Sequence, residues 1–213
     1  MMEQQEQDLV RRAISNVLQS MRERPLPLGI SNRHLHLSAE DYAVLFPNQP
    51  LTRQKDLKQP GQFAAEQTVT LVGPKGMLKK VRILGPLRAQ SQVEISRTDA
   101  RTLGIPAPLR LSGKLQGTPG IKLISSFGEI VLDSGVIVAQ RHVHMSPLDA
   151  LVYGVQHGDS IRVAIQGSDR RTVFDDVAVR VSPAMALELH IDTDEANAAG
   201  ADAPDAVAVL LKE

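Results

Sequence analysis

The chain has 213 residues, 42% of them apolar, and its 24 Lys and Arg balance 24 Asp and Glu, so no net field draws it to nucleic acid or anionic lipid. The length supports one large domain or two of about 90 residues. The absence of cysteine removes disulfides, thiolate metal sites and thiol nucleophiles together, leaving His, Asp, Glu, water or substrate to hold any metal. No apolar run is long enough to span a bilayer and the first residues lack a signal peptide's hydrophobic core, so the expectation is cytoplasmic residence with no membrane or nucleic-acid partner.

Residues 3 to 22 come first. Val10, Ile14, Val17, Leu18 and Met21 form one apolar stripe among Glu, Gln and Arg, which predicts an amphipathic helix. Arg24-Pro25-Leu26-Pro27 stops it, making residues 1 to 22 a separable unit. Its two readings are an ordinary packing helix and a docking helix for a partner surface. From Leu28 onward the pattern is short strands punctuated by Gly and Pro, as at 68 to 72, 81 to 84, 129 to 132, 160 to 165 and 176 to 181. The predicted fold is therefore mainly β with short helices, a barrel or sandwich architecture and not βαβ units. Residues 47 to 67 read as a long irregular connection of the kind that often carries function.

Five of the six histidines obey one repeated grammar: a ligand-type residue, one spacer, a Ser or Asp able to cap a helix, and an acid three positions further. The copies are His36-Leu-Ser38 with Asp41, Glu94-Ile-Ser96 with Asp99, His144-Met-Ser146 with Asp149, and His190-Ile-Asp192 with Glu195. The first and third add a second ligand at His34 and His142. Each acid sits where a capping box places its third helical residue, and Gly104, Gly154 and Gly200 follow the last three copies where a short helix ends left-handed. The motif predicts a strand that delivers a ligand and turns at once into a short helix whose N-terminus offers N–H groups to an anion. In a His-x-His strand both imidazoles share a face about 6.5 Å apart. Arg33-His34-Leu35-His36-Leu37-Ser38 recurs about half a chain later as Arg141-His142-Val143-His144-Met145-Ser146, which predicts two similar barrel domains meeting at a common site.

Each feature has a plainer reading. A lone His-x-His is more often a surface or core pair, but two copies plus His190 in the same grammar favour a metal site. Asp41, Asp99, Asp149 and Glu195 read best as caps. Glu94 differs because it fills the ligand slot. His157 stands outside the pattern and reads as a loop histidine, and Lys75, Lys79, Lys80 and Arg82 as a solvated basic face.

Residues 28 to 36, Gly85-Pro86-Leu87-Arg88, Gln92 through Ser96, Arg141 through Met145 and Leu189 through Ala198 resemble the phosphate propanoyltransferases of bacterial microcompartments, the PduL-type phosphotransacylases. The resemblance covers about residues 25 to 211. It implies two β-barrel domains related by duplication and capped by short helices, one of residues 23–32 and 141–213 and one of 33–140, with a dinuclear zinc site between them. It implies His34, His36 and Glu94 as ligands of one zinc and His142, His144 and His190 as ligands of the other, with other divalent transition metals possible. It implies Arg88 as the catalytic residue facing phosphate, and residues 1 to 22 as an encapsulation peptide for shell or cargo proteins in a microcompartment lumen.

The implied reaction is reversible transfer of a short acyl group, propanoyl or acetyl, between coenzyme A and inorganic phosphate, by direct attack of metal-bound phosphate on the thioester; the implied assembly is a homodimer or higher oligomer. Two other classes stay open on the residues alone. One is a dinuclear metal-dependent hydrolase that activates water. The other is a cupin-like metal protein using His34, His36 and Glu40, which would leave the second His-x-His without a role. A non-catalytic structural metal protein is a third.

Overall fold

In the computed structural model, which describes residues 2–211, the chain runs α1 (Met2–Arg22), β1 (Leu28–Ser31), β2 (His34–His36), α2 (Ala39–Leu45), β3 (Arg53–Asp56), β4 (Phe63–Val72), β5 (Met77–Gly85), β6 (Gln92–Glu94), α3 (Arg97–Leu103), β7 (Leu109–Arg110), β8 (Ile121–Ile124), β9 (Glu129–Leu132), β10 (Val136–Ala139), β11 (His142–Met145), α4 (Pro147–Tyr153), β12 (Ser160–Gln166), β13 (Thr172–Val181), β14 (Glu188–Asp192), α5 (Thr193–Ala199) and β15 (Val207–Leu211). The protein is mainly β with short helices and an N-terminal helix, and its strands form two curled half-barrel sheets.

The chain divides into two compact units, one of Met1–Gly29, His142–His190 and Ala198–Glu213, the other of Ile30–Arg141 and Ile191–Asn197. One sheet has the order β1-β14-β11-β13-β12-β15; the other runs β7-β10-β6-β2-β5-β4-β8-β9, with β3 on β4.

The same local topology occurs twice. β2 pairs parallel with β5 and antiparallel with β6, while β11 pairs parallel with β13 and antiparallel with β14. The short strands that carry the histidines also anchor the core. Leu35 and Leu37 are fully buried beside His34 and His36, and Val143 and Met145 are fully buried beside His142 and His144. Alternation along each strand thus sends the apolar residues into the core and the histidines to the opposite face. Burying one such Leu contributes about 2 to 3 kcal/mol, so the ligand strands are held by their own neighbours.

Residues 47 to 67 are not an irregular connection throughout. They contain β3 and the first residues of β4, with Arg53 facing Ala65 and Asp56 facing Phe63. The pattern is silent there because all four residues of β3 are exposed and polar, so an edge strand leaves no hydrophobic alternation to read.

α1 is a 21-residue helix, stopped where the proline segment begins. Leu9, Val10, Ile14 and Val17 are exposed, whereas the C-terminal end of the helix rests on α4, where the Arg22 side chain donates to the Val152 carbonyl.

Candidate active site

In the first group, β2 sets His34 opposite Glu94 and His36 opposite Gln92 across the antiparallel pair with β6. His34, His36 and Glu94 each offer a ligand atom within 4.8 Å of the others. His34 Nδ1 lies 2.8 Å from the Asn32 carbonyl and His36 Nδ1 lies 3.2 Å from the Leu84 carbonyl. A carbonyl only accepts, so each Nδ1 carries the proton and each Nε2 keeps its lone pair, the tautomer a metal ligand needs. His34 Nε2 stands 3.5 Å from Glu94 Oε2. Burial, with the His34 and Arg88 charges adding to it, lowers the His36 pKa to about 3, so its ring is neutral at ordinary pH.

The second group repeats this in the other unit. His142 faces His190 and His144 faces Glu188 across β11 and β14, and His142, His144 and His190 offer ligand atoms within 4.8 Å of one another. The Nε2 atoms of His142 and His144 are 3.0 Å apart, a spacing at which two lone pairs repel unless a proton or cation lies between. His144 Nδ1 is buried with no hydrogen-bond partner among the described residues. Burial, reinforced by His142, His190 and Arg180, lowers the His144 pKa to about 2. Three converging imidazoles, two of them buried, fit a divalent metal of nitrogen preference such as zinc.

Arg88 lies in the same unit as the first group. Its backbone N–H donates to the Leu37 carbonyl at 2.8 Å, and its Nη1 donates to Ser112 Oγ at 3.2 Å. With His36, Pro60, Gly61, Gln62, Gly85 and Pro86 it lines a cavity of about 280 Å³. That is below the usual size of a pocket for a drug-sized ligand and suits a small anion.

The capping acids are caps. Ser96 with Asp99, Ser146 with Asp149 and Asp192 with Glu195 exchange hydrogen bonds in both directions. In the first copy Ser38 Oγ accepts from Asp41 N–H, but Ser91 takes the Ser38 N–H, and the Asp41 carboxylate accepts from both hydroxyls. Gly104, Gly154 and Gly200 adopt φ of 74°, 72° and 58°, the left-handed exit expected of them. The expected anion site at the helix starts is corrected for α3. Its second N–H donates to Asp194 Oδ2 at 2.8 Å and its third to Ser96 Oγ at 3.2 Å, so side chains already occupy those donors. Glu40 is exposed on α2 and belongs to neither group, since the helix has begun one residue earlier. His157 is exposed in a turn, where its Nδ1 accepts from Val181 N–H.

Three residues escape the sequence reading. Gln92 donates from Nε2 to Glu94 Oε1 at 2.5 Å and to Ser112 Oγ at 2.8 Å, while its Oε1 accepts from Gly113 N–H at 2.8 Å. Ser112 therefore accepts from both Arg88 and Gln92 and ties the arginine to the glutamate. Glu188 bonds His190. The offset of two residues, Gln92 before Glu94 and Glu188 before His190, is the signal in the sequence that would have found the first and last of these.

A family model described as phosphate propanoyltransferase matches residues 27–202. The chain is 73% identical over 202 residues to the phosphate propanoyltransferase of Citrobacter rodentium, covering 95% of this chain and 96% of that one. It is 67% identical to that of Salmonella typhimurium, over 97% and 98% of the two chains, and 61% identical to that of Shewanella putrefaciens, over 96% and 97%. Near full-length matches of this identity define a phosphate acyltransferase. The chain belongs to the phosphate propanoyltransferase family.

Proposed function

We propose that this chain transfers a short acyl group reversibly between coenzyme A and inorganic phosphate, with one divalent ion, zinc by preference, at His34, His36 and Glu94 and a second at His142, His144 and His190. The observation that carries the reading is the first group: two Nδ1–H groups tied back to backbone carbonyls beside Glu94, with Arg88 in the same cavity as His36. When bound, such ions supply Lewis acidity for orienting phosphate and for stabilising negative charge on a thioester oxygen.

The chain's own groups do the rest. The Arg88 guanidinium grips one edge of the phosphate through two parallel hydrogen bonds, its arm fixed by Ser112. A phosphate oxygen attacks the thioester carbonyl carbon, the carbon–sulfur bond breaks, and coenzyme A departs as thiolate to take a proton from water. With no cysteine in the chain, direct attack within a ternary complex requires no covalent acyl-enzyme. The His36 and His144 rings stay neutral, so no proton competes with a cation for their lone pairs. The exposed stripe Leu9, Val10, Ile14 and Val17 supports docking of α1 to shell or cargo proteins, and with it residence in a microcompartment lumen.

Elemental analysis of protein purified without chelator tests the metal assignment. About two transition-metal ions per chain are expected. A value near zero alongside full activity overturns it.

A further inference from the structure

We infer that Glu188 is the positioning carboxylate of the second group, holding the His190 ring through Nε2, and that residue 29 is a glycine to admit it. The inference rests on the metal reading above and adds to it a residue that is not among the six ligands.

The register shows the place. Opposite the second histidine of each His-x-His strand stands Gln92 in one unit and Glu188 in the other. Each reaches the ligand-slot residue two positions on, Gln92 to Glu94 at 2.5 Å and Glu188 Oε2 to His190 Nε2 at 2.7 Å. The chemistry is complementary. Where the ligand is a carboxylate its neighbour is an amide donor, and where the ligand is an imidazole its neighbour is an acceptor. A carboxylate accepts only, so His190 Nε2 carries the proton and Nδ1 keeps the lone pair, with the ring held in one orientation.

Gly29 supplies an independent observation. A Cβ at this position would lie 3.0 Å from Glu188 Oε1, 3.2 Å from Cδ and 3.3 Å from Cγ. Its φ is outside the left-handed region, and a methyl added here would press the Glu188 carboxylate aside by a few tenths of an ångström. The Glu188 side chain is 12% exposed, and it lies in the wall formed by β1 and β14. A carboxylate removed this far from water is held by hydrogen bonding, to which His190 contributes.

The test is competitive titration of the purified full-length enzyme with a chromophoric zinc chelator, which reads the affinity of each bound ion separately from turnover. Glu188→Ala is expected to weaken one of the two ions about 10- to 100-fold and leave the other at its wild-type value. Glu188→Gln keeps the volume and an acceptor oxygen but loses the charge, and is expected to weaken the same ion by a smaller factor; it decides the matter if the alanine variant fails to fold. Gly29→Ala, which keeps the carboxylate but displaces it, is expected to weaken that ion too. Both ions retained at wild-type affinity in Glu188→Ala and Glu188→Gln overturns this inference alone, as does an equal loss of both ions. Wild-type protein that holds no ion overturns the metal reading beneath it.

Discussion

Arg88 is anchored from both ends, by its backbone N–H on Leu37 and by Ser112 on Nη1, and it lines the same cavity as His36, where a guanidinium can act on an anion as a fork. Arg88→Ala and Arg88→Lys are expected to keep metal content and fold and to lose about 3 kcal/mol, or about a hundredfold, in phosphate-dependent turnover, because an ammonium cannot make two parallel bonds. Steady-state kinetics on Arg88→Lys decide it; wild-type rates with an unchanged phosphate KM would show that the arginine does not hold the nucleophile. His36 and His144 give a second expectation. Their folded pKa values are lowered to about 3 and about 2 from the ordinary 6.5, so below pH 6.5 the unfolded chain binds protons that the folded chain refuses. The stability they contribute to the metal-free fold is full above that pH. It falls as pH drops toward about 3 for His36 and about 2 for His144, by about 1.4 kcal/mol per pH unit for each histidine. Urea midpoints of chelated protein at pH 7.5 and 5.5 should decrease in that order, and equal midpoints would contradict the assignment of buried neutral rings. The gathering of the six ligand-type residues into two groups was legible in the motifs, and Arg88 entered only through the family resemblance; Ser112 was not legible, because it sits in a non-periodic turn and joins the network through Gln92, twenty positions away in the chain.

At the scale of elements, the strand-then-helix units were readable because capping chemistry is local. Ser96, Ser146 and Asp192 cap the helices that their spacing predicts, and three glycines end them. β3 was not readable, since an exposed Arg-Gln-Lys-Asp edge strand is specified by its partner β4 and not by its own pattern. The occupied N-terminus of α3 was not readable either, because Asp194 reaches Thr98 from a helix 96 positions further along. α1 is joined to the rest by Arg24-Pro25-Leu26-Pro27 and leaves Leu9, Val10, Ile14 and Val17 exposed. Deleting residues 1 to 22 should therefore leave catalysis largely intact and abolish co-assembly with shell or cargo proteins in a sedimentation assay. A truncated protein that fails to fold would assign the helix to the core through its contact with α4.

At the scale of the whole molecule, the duplication seen in the repeated Arg-His-x-His segment extends to strand pairing. Each His-x-His strand has one parallel and one antiparallel neighbour, and the ligand-slot residue faces the first histidine in both, Glu94 opposite His34 and His190 opposite His142. The sequence carries the motifs of that repeat but not its register, which depends on long-range pairing. One consequence is chemical asymmetry, two imidazoles with a carboxylate in one unit and three imidazoles in the other. The phosphate-attack mechanism and a metal-dependent hydrolase would use these same groups, with phosphate or water as the nucleophile. The most direct discrimination is a coupled assay of thiol release from propanoyl-CoA with and without inorganic phosphate, with the acyl product identified. The account predicts release that depends on phosphate and yields acyl phosphate; equal release in its absence, yielding the free acid, would contradict it.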